Sequence, residues 1–472
     1  MNLFYLDDKP EIAAEYHCNK HVVKMILEAG QMLCAAHWLH LLAHYYEGDV
    51  SDFKRVKDLK AWLEDDRNTH PLERPPWGLT HMRHPCTVWT NESLDNYVWH
   101  WRLGVALCRE YTERYGRVHK AQNVFDWLGK NHPRFMKSKG ITPLPICMKE
   151  EYKVGNDTVA SYRNYYIKDK VRFAVWEPRA KEPDWFKQLL EENMPEGPEV
   201  KITTDFLKEF ESQKIKSISI LSGRYAKKGG IENLEHVSFP ALLEEVNCKG
   251  KFIYFKIKDA VTDRRMYLFS TLGMTGMWSK NKTKHSRVCL SLENSNDTLG
   301  VTDVKVYYND IRNFGTLKFV TDKKDLDKKL NSLGPDVLTK TFNQKEMKQR
   351  FLKKSEKTVV EVLMDQSVIS GVGHYLKCEI LYASHISPHR KCKDITDKEF
   401  KVLYDACYWL PKVSYKLGGS TLYTYKQPDG REGLYNRRFA VYNQDADTEG
   451  RKVLRETTLD KRTTHWVPEV QK

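Results

Sequence analysis

The stretch Met194-Pro195-Glu196-Gly197-Pro198-Glu199-Val200 places a proline and then a glutamate directly after a methionine. A proline whose nitrogen is freed by removal of that methionine is a secondary amine, which can attack a sugar C1′ and form an iminium ion. The neighbouring glutamate is well placed to transfer protons in such a reaction. A proline-rich stretch of this length is also typical of an interdomain linker. The sequence on either side decides between these interpretations.

The charge of the chain changes at this stretch. Residues 195–472 hold 49 Lys+Arg against 36 Asp+Glu, a net charge of +13 out of +14 for the whole chain. Nine of the twelve tryptophans lie before residue 195. A basic excess in one part of a chain favours a polyanionic partner, usually nucleic acid, although solvated lysine faces often have no partner. We therefore predict separate domains with a boundary near residue 190.

The ten cysteines form no Cys-x-x-Cys pair, and no amino-terminal apolar stretch has the pattern of a signal peptide or membrane span. This composition favours a soluble, intracellular protein in a reducing compartment, the cytoplasm or the nucleus. We expect no disulfide framework, metal, cofactor or membrane partner, and we expect a monomer.

Residues 1–193 are predicted to form a mainly helical domain. Apolar residues recur at helical spacing, and strand-like alternation is scarce. The predicted helices are Glu11–Leu39, Asn91–Tyr115 and Thr158–Lys170.

Histidines and a cysteine in this first part have spacings that could hold a metal ion. They are His17, Cys18 and His21, with His81 and His84 as further candidates. Helix-packing and capping histidines are the favoured interpretation, because no acidic ligand accompanies them. A metal-dependent enzyme acting on something other than DNA remains an alternative for this domain.

Short islands in residues 1–120 carry a sparse resemblance. Lys20-His21-Val22-Val23-Lys24 with Glu28, and then His84-Pro85 and Trp89, resemble small phage and bacterial proteins classed near the pyrimidine-dimer DNA glycosylases. The resemblance nominates Lys24 and Glu28 as chemically active. A solvated helix face explains the same i,i+4 pair equally well. A DNA-directed function is therefore an expectation for this domain, added to whatever residues 195–472 do.

Residues 195–472 begin with a short predicted helix, continue with strands and end in helices. Strand patterns follow a helix at Thr203–Gln213 and occur at Ile215–Leu221, Phe252–Ile257, Met266–Phe269, Val288–Leu292, Val304–Tyr308 and Leu317–Phe319. Further on, a helix over Val359–Asp365, a glycine-bearing turn and a second helix from His374 predict a helix-two-turn-helix. Backbone N–H groups at the start of the second helix can bind a phosphate.

Eight motifs occur in order along this part. They are Pro195-Glu196-x-Pro198-Glu199-Val200, Lys249-Gly250-Lys251-Phe252, Leu272-Gly273-Met274-Thr275-Gly276, Asn309-Asp310-x-Arg312-x-Phe314-Gly315, Leu333-Gly334-Pro335-Asp336, the segment Ser370–Glu379, Gly418-Gly419-Ser420-Thr421-Leu422 and Arg462-Thr463-Thr464-His465-Trp466. Together they resemble the formamidopyrimidine-DNA glycosylase/endonuclease VIII family. The resemblance implies a multidomain fold: a catalytic β-sandwich or barrel-like domain (195–325), a helical helix-two-turn-helix domain (326–425), and a lesion-recognition loop with a β-hairpin finger (426–472).

The resemblance implies a base-excision repair enzyme that removes oxidised bases and cleaves the abasic strand by β,δ-elimination. Pro195 would be the nucleophile and Glu196 the proton donor and shuttle, as an amine beside a carboxylate allows. Glu199 would help hold the sugar and water, and Lys251 would contact the phosphate of the lesion. The implied partners are damaged double-stranded DNA and abasic-site DNA.

A base can be reached in a duplex only if it is flipped out, and the vacated space must be filled. Met274, Arg312 and Phe314 match the void-filling residues of the family, and their side chains suit stacking and hydrogen bonding. Gly373 and His374 match the phosphate-binding turn. His374 stands where relatives usually carry asparagine, so we expect altered affinity.

The carboxy-terminal stretch departs from the zinc-finger members of the family, because residues 408–472 contain no cysteine. Phe439–Tyr442, a turn at Gln444–Gly450 and Val453–Arg455 predict the hairpin of a zincless finger, with Arg462 bound to a phosphate beside the flipped nucleotide. Asp429–Arg438 is the expected lesion-recognition loop, and a mobile one. A catalytically silent DNA-binding protein is the alternative, because the Pro195 nitrogen of the written chain is an amide.

Overall fold

The computed structural model describes residues 2–48, 52–53, 55–133, 136–171, 173–192, 194–227, 229–293, 303–421 and 425–472, with residues 190–192 described by their backbone alone. Its contacts divide the chain into two units, Met1–Lys187 and Gln188–Lys472. In the described part of the chain, no helix is both long enough and apolar enough to cross a lipid bilayer.

The first unit is helical throughout its described secondary structure, as the sequence predicts. Its helices are α1 (Pro10–Tyr16), α2 (Asn19–Tyr45), α3 (Val56–Glu64), α4 (Pro85–Glu92), α5 (Leu94–Tyr115), α6 (Gln122–Lys130) and α7 (Thr158–Tyr165), and α8 (Asp184–Glu192) follows across the division. A π-helical turn, Tyr166–Lys170, continues α7. Helix α2 is the central element, because most of its residues from His21 to Leu42 are buried.

Two of the predicted helices are each broken into two. The predicted Glu11–Leu39 is interrupted at His17 and Cys18, whose backbones are extended between α1 and α2. The predicted Asn91–Tyr115 is interrupted at Ser93, which is extended and accepts the N–H of Asp95 as the amino-terminal cap of α5. Such breaks keep the apolar spacing nearly intact, so periodicity alone does not reveal them.

The second unit begins with α9 (Gly197–Lys208) and an eight-stranded sheet. The strands are β1 (Lys214–Ile220), β2 (Ala241–Lys249), β3 (Phe252–Asp259), β4 (Arg265–Thr271), β5 (Gly276–Ser279), β6 (Ser286–Glu293), β7 (Asp303–Asp310) and β8 (Thr316–Val320), and α10 (Arg224–Lys227) lies between β1 and β2. All neighbours are antiparallel in the order β5-β7-β6-β1-β2-β3-β4-β8.

This sheet folds into a sandwich around one core. Strand β1 pairs with β2 at only two positions, Lys214↔Leu242 and Ile215↔Ala241, so the sheet bends there into two four-stranded layers. Rings from strands far apart in the sheet order meet in the core, with Phe255 on β3 and Trp278 on β5 having centroids 5.5 Å apart. The predicted β-sandwich is confirmed, and all six predicted strands are present.

The prediction for the start of this unit was wrong in one element. The helix lies at Gly197–Lys208, earlier than the predicted Thr203–Gln213. Pro198 falls in the first helical turn, where its missing N–H is not needed, so the proline-rich stretch starts the helix instead of delaying it.

The helical half contains α11 (Lys323–Asn331), α12 (Gln344–Leu352), α13 (Val359–Met364), α14 (His374–Ala383) and α15 (Asp397–Lys416). The predicted helix-two-turn-helix is confirmed as α13, a turn and α14. The Gln366 side chain holds the turn, because its Oε1 accepts the N–H of Gly371 (3.0 Å) and its Nε2 donates to the carbonyl of Val372 (2.8 Å).

The chain ends in a hairpin of β9 (Leu454–Thr457) and β10 (Thr463–Trp466). The predicted hairpin lay earlier, with Phe439–Tyr442 as its first strand, and that position was wrong. Glu379 of α14 accepts the N–H groups of Ala440, Val441 and Tyr442 at 2.9–3.0 Å. In a hairpin these N–H groups would donate to the partner strand. Here they donate to the carboxylate of Glu379, so residues 439–442 do not pair as the predicted strand.

Candidate active site

The carboxylate of Glu196 sits on the first turn of α14. It accepts the backbone N–H groups of Gly373 (2.8 Å), Tyr375 (2.8 Å) and Leu376 (3.3 Å). The first N–H groups of a helix have no partner within the helix and carry partial positive charge. Glu196 therefore takes up these three N–H groups, and phosphate binding at this turn stays a prediction.

Glycine 373 allows this approach. A Cβ at that position would lie 2.4 Å from Cδ of Glu196 and 2.4 Å from Nζ of Lys251. The backbone there is extended, so the requirement for glycine is one of space. Glu196, Lys251 and the start of α14 thus converge at one point.

Burial changes the acidity of these groups. Glu196 is 1% exposed, and burial raises its pKa to about 8, although nearby Lys251 and the N–H donors favour the charged carboxylate. Burial lowers the pKa of Lys251, and the charge of Glu196 opposes that change. A raised carboxyl pKa beside a lowered lysine pKa brings the two charge states of this pair closer in free energy than they are in water.

Glu199 is also 1% exposed, and three donors hold its carboxylate. Its carboxylate accepts the N–H of Glu196 (2.9 Å), the N–H of Ser420 (2.7 Å) and the hydroxyl of Tyr375 (2.9 Å). Gly419 has a φ of +79°, and a Cβ there would lie 2.8 Å from Oε1 of Glu199. Burial raises the pKa of Glu199. Sequence reasoning did not identify Tyr375, whose role follows from its place on the first turn of α14.

A cavity of about 130 Å³ adjoins Pro195, and Met274 and Tyr425 also line it. Pro195 is buried and directly precedes Glu196. The nucleophile candidate therefore borders a space in which a small group can sit.

The three void-filling candidates lie on two adjacent turns. Met274 follows β4, while Arg312 and Phe314 lie between β7 and β8, and the pairing of β4 with β8 and of β5 with β7 brings the turns together. The Arg312 guanidinium lies 5.1 Å from the ring centroid of Phe314, whose side chain is 46% exposed. The structure thus brings these residues to one surface.

Asp310 joins the two turns, and sequence reasoning gave it no role. It is fully buried, its Oδ1 accepts the hydroxyl of Thr275 (2.5 Å), and its Oδ2 accepts the N–H of Gly315 (2.8 Å). Thr275 in turn accepts the N–H of Arg312 (2.9 Å). The available signal was its place between Asn309 and Arg312 in a quoted motif, where a buried carboxylate can take donors from both turns.

Arg462 ends the turn between β9 and β10, and a buried ion pair holds that turn. Nζ of Lys377 lies 2.7 Å from Oδ2 of Asp460, and the two side chains are 0% and 4% exposed. The Thr458 hydroxyl donates to Oδ1 of Asp460 (2.6 Å), and the Thr458 N–H donates to the carbonyl of Arg462 (3.1 Å). The charge of Arg462 reaches Lys251, whose pKa it helps to lower.

His374 faces the protein interior. Its Nδ1 lies 3.2 Å from the hydroxyl of Tyr442, and its Nε2 contacts the carbonyl oxygen of Thr463. Burial lowers the pKa of His374 well below its usual value, so the ring is neutral at physiological pH. Both ring nitrogens contact groups of the protein, and a contact of His374 with a phosphate stays a prediction.

The predicted recognition loop is anchored at its far end. The N–H of Gly433 donates to the hydroxyl of Thr421 (2.6 Å), and Leu434 forms a bridge with Ser420. Leu422, in the quoted motif, lies outside the described residues. Mobility of the loop stays a prediction.

In the first unit, Lys24 and Glu28 form the expected pair at 3.1 Å. Glu28 is only 8% exposed and also accepts the N–H of Asn2 (2.9 Å), so its face of the helix is not simply solvated. Four of the five metal candidates do not assemble: among the described residues, His17, Cys18, His21 and His81 belong to no group that could hold a metal ion, whereas the fifth, His84, lies with Cys86 and Cys147. His17 contacts the carbonyl of Ala13 (2.6 Å) and His21 contacts the hydroxyl of Tyr166 (2.5 Å), and burial lowers the pKa values of both imidazoles.

Comparisons with known proteins give the second unit a family. Residues 194–317 match the model of the formamidopyrimidine-DNA glycosylase N-terminal domain, and residues 333–426 match that of the formamidopyrimidine-DNA glycosylase H2TH domain. The formamidopyrimidine-DNA glycosylase of Thermus thermophilus is 34% identical over 234 residues, which are 48% of this chain and 81% of that protein. The chain belongs to the formamidopyrimidine-DNA glycosylase family. The resemblance stated from the motifs is confirmed.

Other members of the formamidopyrimidine-DNA glycosylase family agree. The enzyme of Oceanobacillus iheyensis is 28% identical over 259 residues, covering 53% of this chain and 87% of that protein. The crystal structure of the MutM (Fpg) protein of Thermus thermophilus is 29% identical, with a TM-score of 0.50 over 59% of this chain and 98% of that one. The Lactococcus lactis Fpg in complex with abasic-site DNA is 24% identical, has a TM-score of 0.51, covers 59% of this chain and 99% of its own, and shows the shared fold.

Proposed function

We propose that residues 195–472 form a base-excision DNA glycosylase that removes oxidised bases and cleaves the resulting abasic strand by β,δ-elimination. The relatives named above are glycosylases, and one Fpg was solved bound to abasic-site DNA. The observation that carries the proposal is Glu196, a buried carboxyl with a raised pKa directly beside Pro195. Damaged double-stranded DNA and abasic-site DNA are the substrates.

The amine of Pro195 attacks C1′ of the damaged nucleotide, and the base departs as the C–N bond to the sugar breaks. The resulting iminium acidifies a C2′ proton; transfer of this proton to the carboxylate of Glu196 breaks the C3′–O bond and expels the 3′ phosphate. Loss of the C4′ proton then breaks the C5′–O bond and expels the 5′ phosphate. Glu196 supplies the proton for sugar opening, since burial keeps it partly protonated near neutral pH. Glu199 fixes the backbone of Glu196 through its 2.9 Å hydrogen bond, and Lys251 faces the phosphate.

The binding surface consists of the two turns and the finger. Met274, Arg312 and Phe314 fill the space left by the flipped base. Asp310 supports these three residues, because its hydrogen bonds hold their two turns together. Arg462 binds the phosphate beside the flipped nucleotide. Gly373 serves by admitting Glu196 to the start of α14, and His374 supports the finger through Thr463.

We also propose that residues 1–193 form a separate domain and that the rest of the chain divides into 195–325, 326–425 and 426–472. Support comes from the family-model matches at 194–317 and 333–426 and from the end of the sheet at Val320. Asn193 itself lies outside the described residues. A DNA-directed role for residues 1–193, with Lys24 and Glu28 taking part, stays a prediction.

The chemistry requires a free amine, and the nitrogen of Pro195 in the full chain is part of a peptide bond with partial double-bond character. Translation from Met194 followed by methionine removal would free it, and so would proteolysis in residues 191–194 whose product also loses Met194. The experiment compares the full chain with a shorter chain that begins at Met194, using borohydride trapping on abasic-site DNA. We expect a covalent adduct on Pro195 with the shorter chain and none on Pro195 with the intact one.

Mass spectrometry of the adduct distinguishes the alternatives. Equal trapping of intact full chain and shorter chain would contradict the requirement for a free proline. An adduct on Lys251 would assign the nucleophile to the lysine, and Lys251→Met serves as the matched control in the shorter chain. A shorter chain that has lost Met194 and binds abasic-site DNA without being trapped would instead be the catalytically silent DNA-binding protein.

A further inference from the structure

A cluster of His84, Cys86 and Cys147 lies in the first unit, outside the site described above. Each residue offers one ligand atom, and these atoms all lie within 4.8 Å of one another. Among the residues that the structure describes, these are the His, Cys, Asp or Glu side chains that come close enough together, three at a time, to hold a metal ion. The residues come from the start of α4 and from the extended segment before the 3₁₀ turn Glu150–Tyr152.

The distance between the two thiols discriminates between possible functions. The Sγ atoms of Cys86 and Cys147 are 3.7 Å apart. A disulfide requires a separation of about 2.0 Å. Two thiolates bound at about 2.3 Å to a tetrahedral zinc ion lie about 3.8 Å apart, so the observed separation already matches the edge of such a site.

His84 is placed by the helix that follows it. It caps α4, with its Nδ1 accepting the N–H of Cys86 (3.2 Å). This hydrogen bond holds the imidazole next to the Cys86 thiol and leaves the ring proton on Nε2, so Nδ1 is the nitrogen with a lone pair for a metal. Zinc bound at Nδ1 takes the place of the Cys86 N–H. Cys86 is buried, whereas His84 and Cys147 are partly exposed, so an ion can enter from their side.

Asn2 lies on the other side of the cluster. Its Oδ1 is 4.0 Å from Sγ of Cys86, and it already accepts hydrogen bonds from the hydroxyl of Tyr162 (2.8 Å) and the N–H of Leu3 (2.8 Å). Its Nδ2 donates to the carbonyl of Cys147 (2.9 Å). Asn2 therefore positions the Cys147 segment, and its oxygen is committed to other donors.

We propose that His84, Cys86 and Cys147 form a zinc site with three protein ligands and one position open to solvent. Two soft thiolates and one imidazole are a ligand set that selects Zn²⁺ over the hard cations Mg²⁺ and Ca²⁺. The ion ties the start of α4 to a segment 61 residues further along the chain. Zinc sites that bind a water or substrate molecule have this arrangement, with three protein ligands and an open fourth position.

The test uses the full chain, purified without chelators, incubated with Zn²⁺ and desalted. We expect about one bound zinc per chain by elemental analysis. Replacement by Co²⁺ should give thiolate-to-cobalt charge-transfer absorption, which requires no variant. Cys147→Ser and His84→Asn should reduce the zinc content to near zero, and asparagine at position 84 keeps an amino-terminal cap for α4.

Cys108→Ser is the matched control, since Cys108 is a buried cysteine of the same unit outside the cluster. It should keep the zinc content of the unaltered chain. Chains without stoichiometric zinc, a Cys86–Cys147 disulfide found by mass spectrometry, or Cys147→Ser chains that retain zinc would each overturn the proposal. Trapping on abasic-site DNA is measured in parallel, and its outcome is independent of the zinc content.

Discussion

Two lysine–carboxylate pairs lie at helix α14 and differ in their surroundings. Lys251 and Glu196 meet at the start of the helix, where burial raises the pKa of the carboxyl and lowers that of the amine. Lys377 and Asp460 meet on the body of the helix at 2.7 Å, with Thr458 as a further donor to Asp460. The first pair adjoins Pro195 and its cavity, whereas the second is enclosed by the finger turn.

The difference shows how one pair of residue types can serve chemistry or architecture. Proton transfer requires a pair whose two charge states are close in free energy, as burial arranges for Glu196. A structural pair requires direct contact and further hydrogen bonds to its carboxylate, as Lys377 and Thr458 provide at Asp460. We therefore expect substitutions in the first pair to change rates and substitutions in the second to change stability.

The largest effect is expected for Glu196→Gln in the shorter chain that begins at Met194. Loss of the proton donor should lower the single-turnover rate of strand cleavage by about 10²–10⁴-fold. Binding to lesion-bearing DNA should change much less, because the substituted group faces α14 and not the binding turns. Rapid-quench kinetics with a parallel binding assay measure both. A rate within tenfold of the unaltered chain would show that Glu196 is not the acid.

The second effect is on stability. Lys377→Met leaves Asp460 buried and charged without its cation, and we expect the free energy of unfolding of the second unit to fall by about 3–5 kcal/mol. Urea unfolding measures it. Lys401→Met, in an exposed pair 3.9 Å from Asp405, is the control and should change it by less than about 0.5 kcal/mol. The double variant Lys377→Met/Asp460→Asn should recover part of the loss. A double variant as unstable as Lys377→Met alone would contradict a charge-based cause.

The same contrast explains what the sequence could predict. Regular alternation identified strands such as β6, and the turn before His374 identified the helix-two-turn-helix. Strand β2 was missed because a bulge between Leu243 and Glu245 shifts the buried positions out of the period of two. Local pattern also placed the finger too early, because it does not show that Glu379 takes the N–H groups of Ala440–Tyr442.

The candidate site brings together residues that the motifs nominated, and only part of its contacts follows from the sequence. Pro195, Glu196 and Lys251 came from motifs, whose order along the chain is visible in the sequence. The hydrogen bonds from Gly373 to Glu196 join residues 177 positions apart, and the Lys377–Asp460 pair joins residues 83 positions apart. Such contacts depend on how the sandwich, the helices and the finger pack, which spacing does not encode.

Arg462→Ala tests the binding function of the turn that the second pair supports. Loss of a charge-assisted phosphate contact should weaken binding to lesion-bearing duplex by about 1–3 kcal/mol and reduce the slope of log affinity against log salt concentration. The core is untouched, so the unfolding midpoint should not change. Fluorescence anisotropy at several salt concentrations measures the effect. Unchanged affinity and slope would show that the finger does not contact DNA through Arg462.

The pH dependence of cleavage tests the first pair. Because burial raises the pKa of Glu196 to about 8, its protonated form is present below that pH and is lost as the pH rises through it. The cleavage rate of the shorter chain should therefore fall by about tenfold per pH unit above that value if protonated Glu196 is required. Glu196→Gln should lack this limb. A limb that persists in Glu196→Gln would assign it to another group, with Lys251 as the nearest candidate.

The smallest effect is expected from chelators. Residues 408–472 contain no cysteine, and the turn that carries Arg462 is held by the Lys377–Asp460 pair and by a 2.7 Å contact between the hydroxyls of Thr458 and Thr464. A metal-dependent finger unfolds when its ion is removed, whereas a buried ion pair is unaffected by EDTA. DNA binding and trapping by the shorter chain should thus stay within about twofold of their values without EDTA. The shorter chain lacks His84, Cys86 and Cys147, so zinc bound at that cluster does not enter the measurement. Loss of binding in EDTA, restored by added zinc, would show that the finger depends on a metal and that the second pair alone does not hold it.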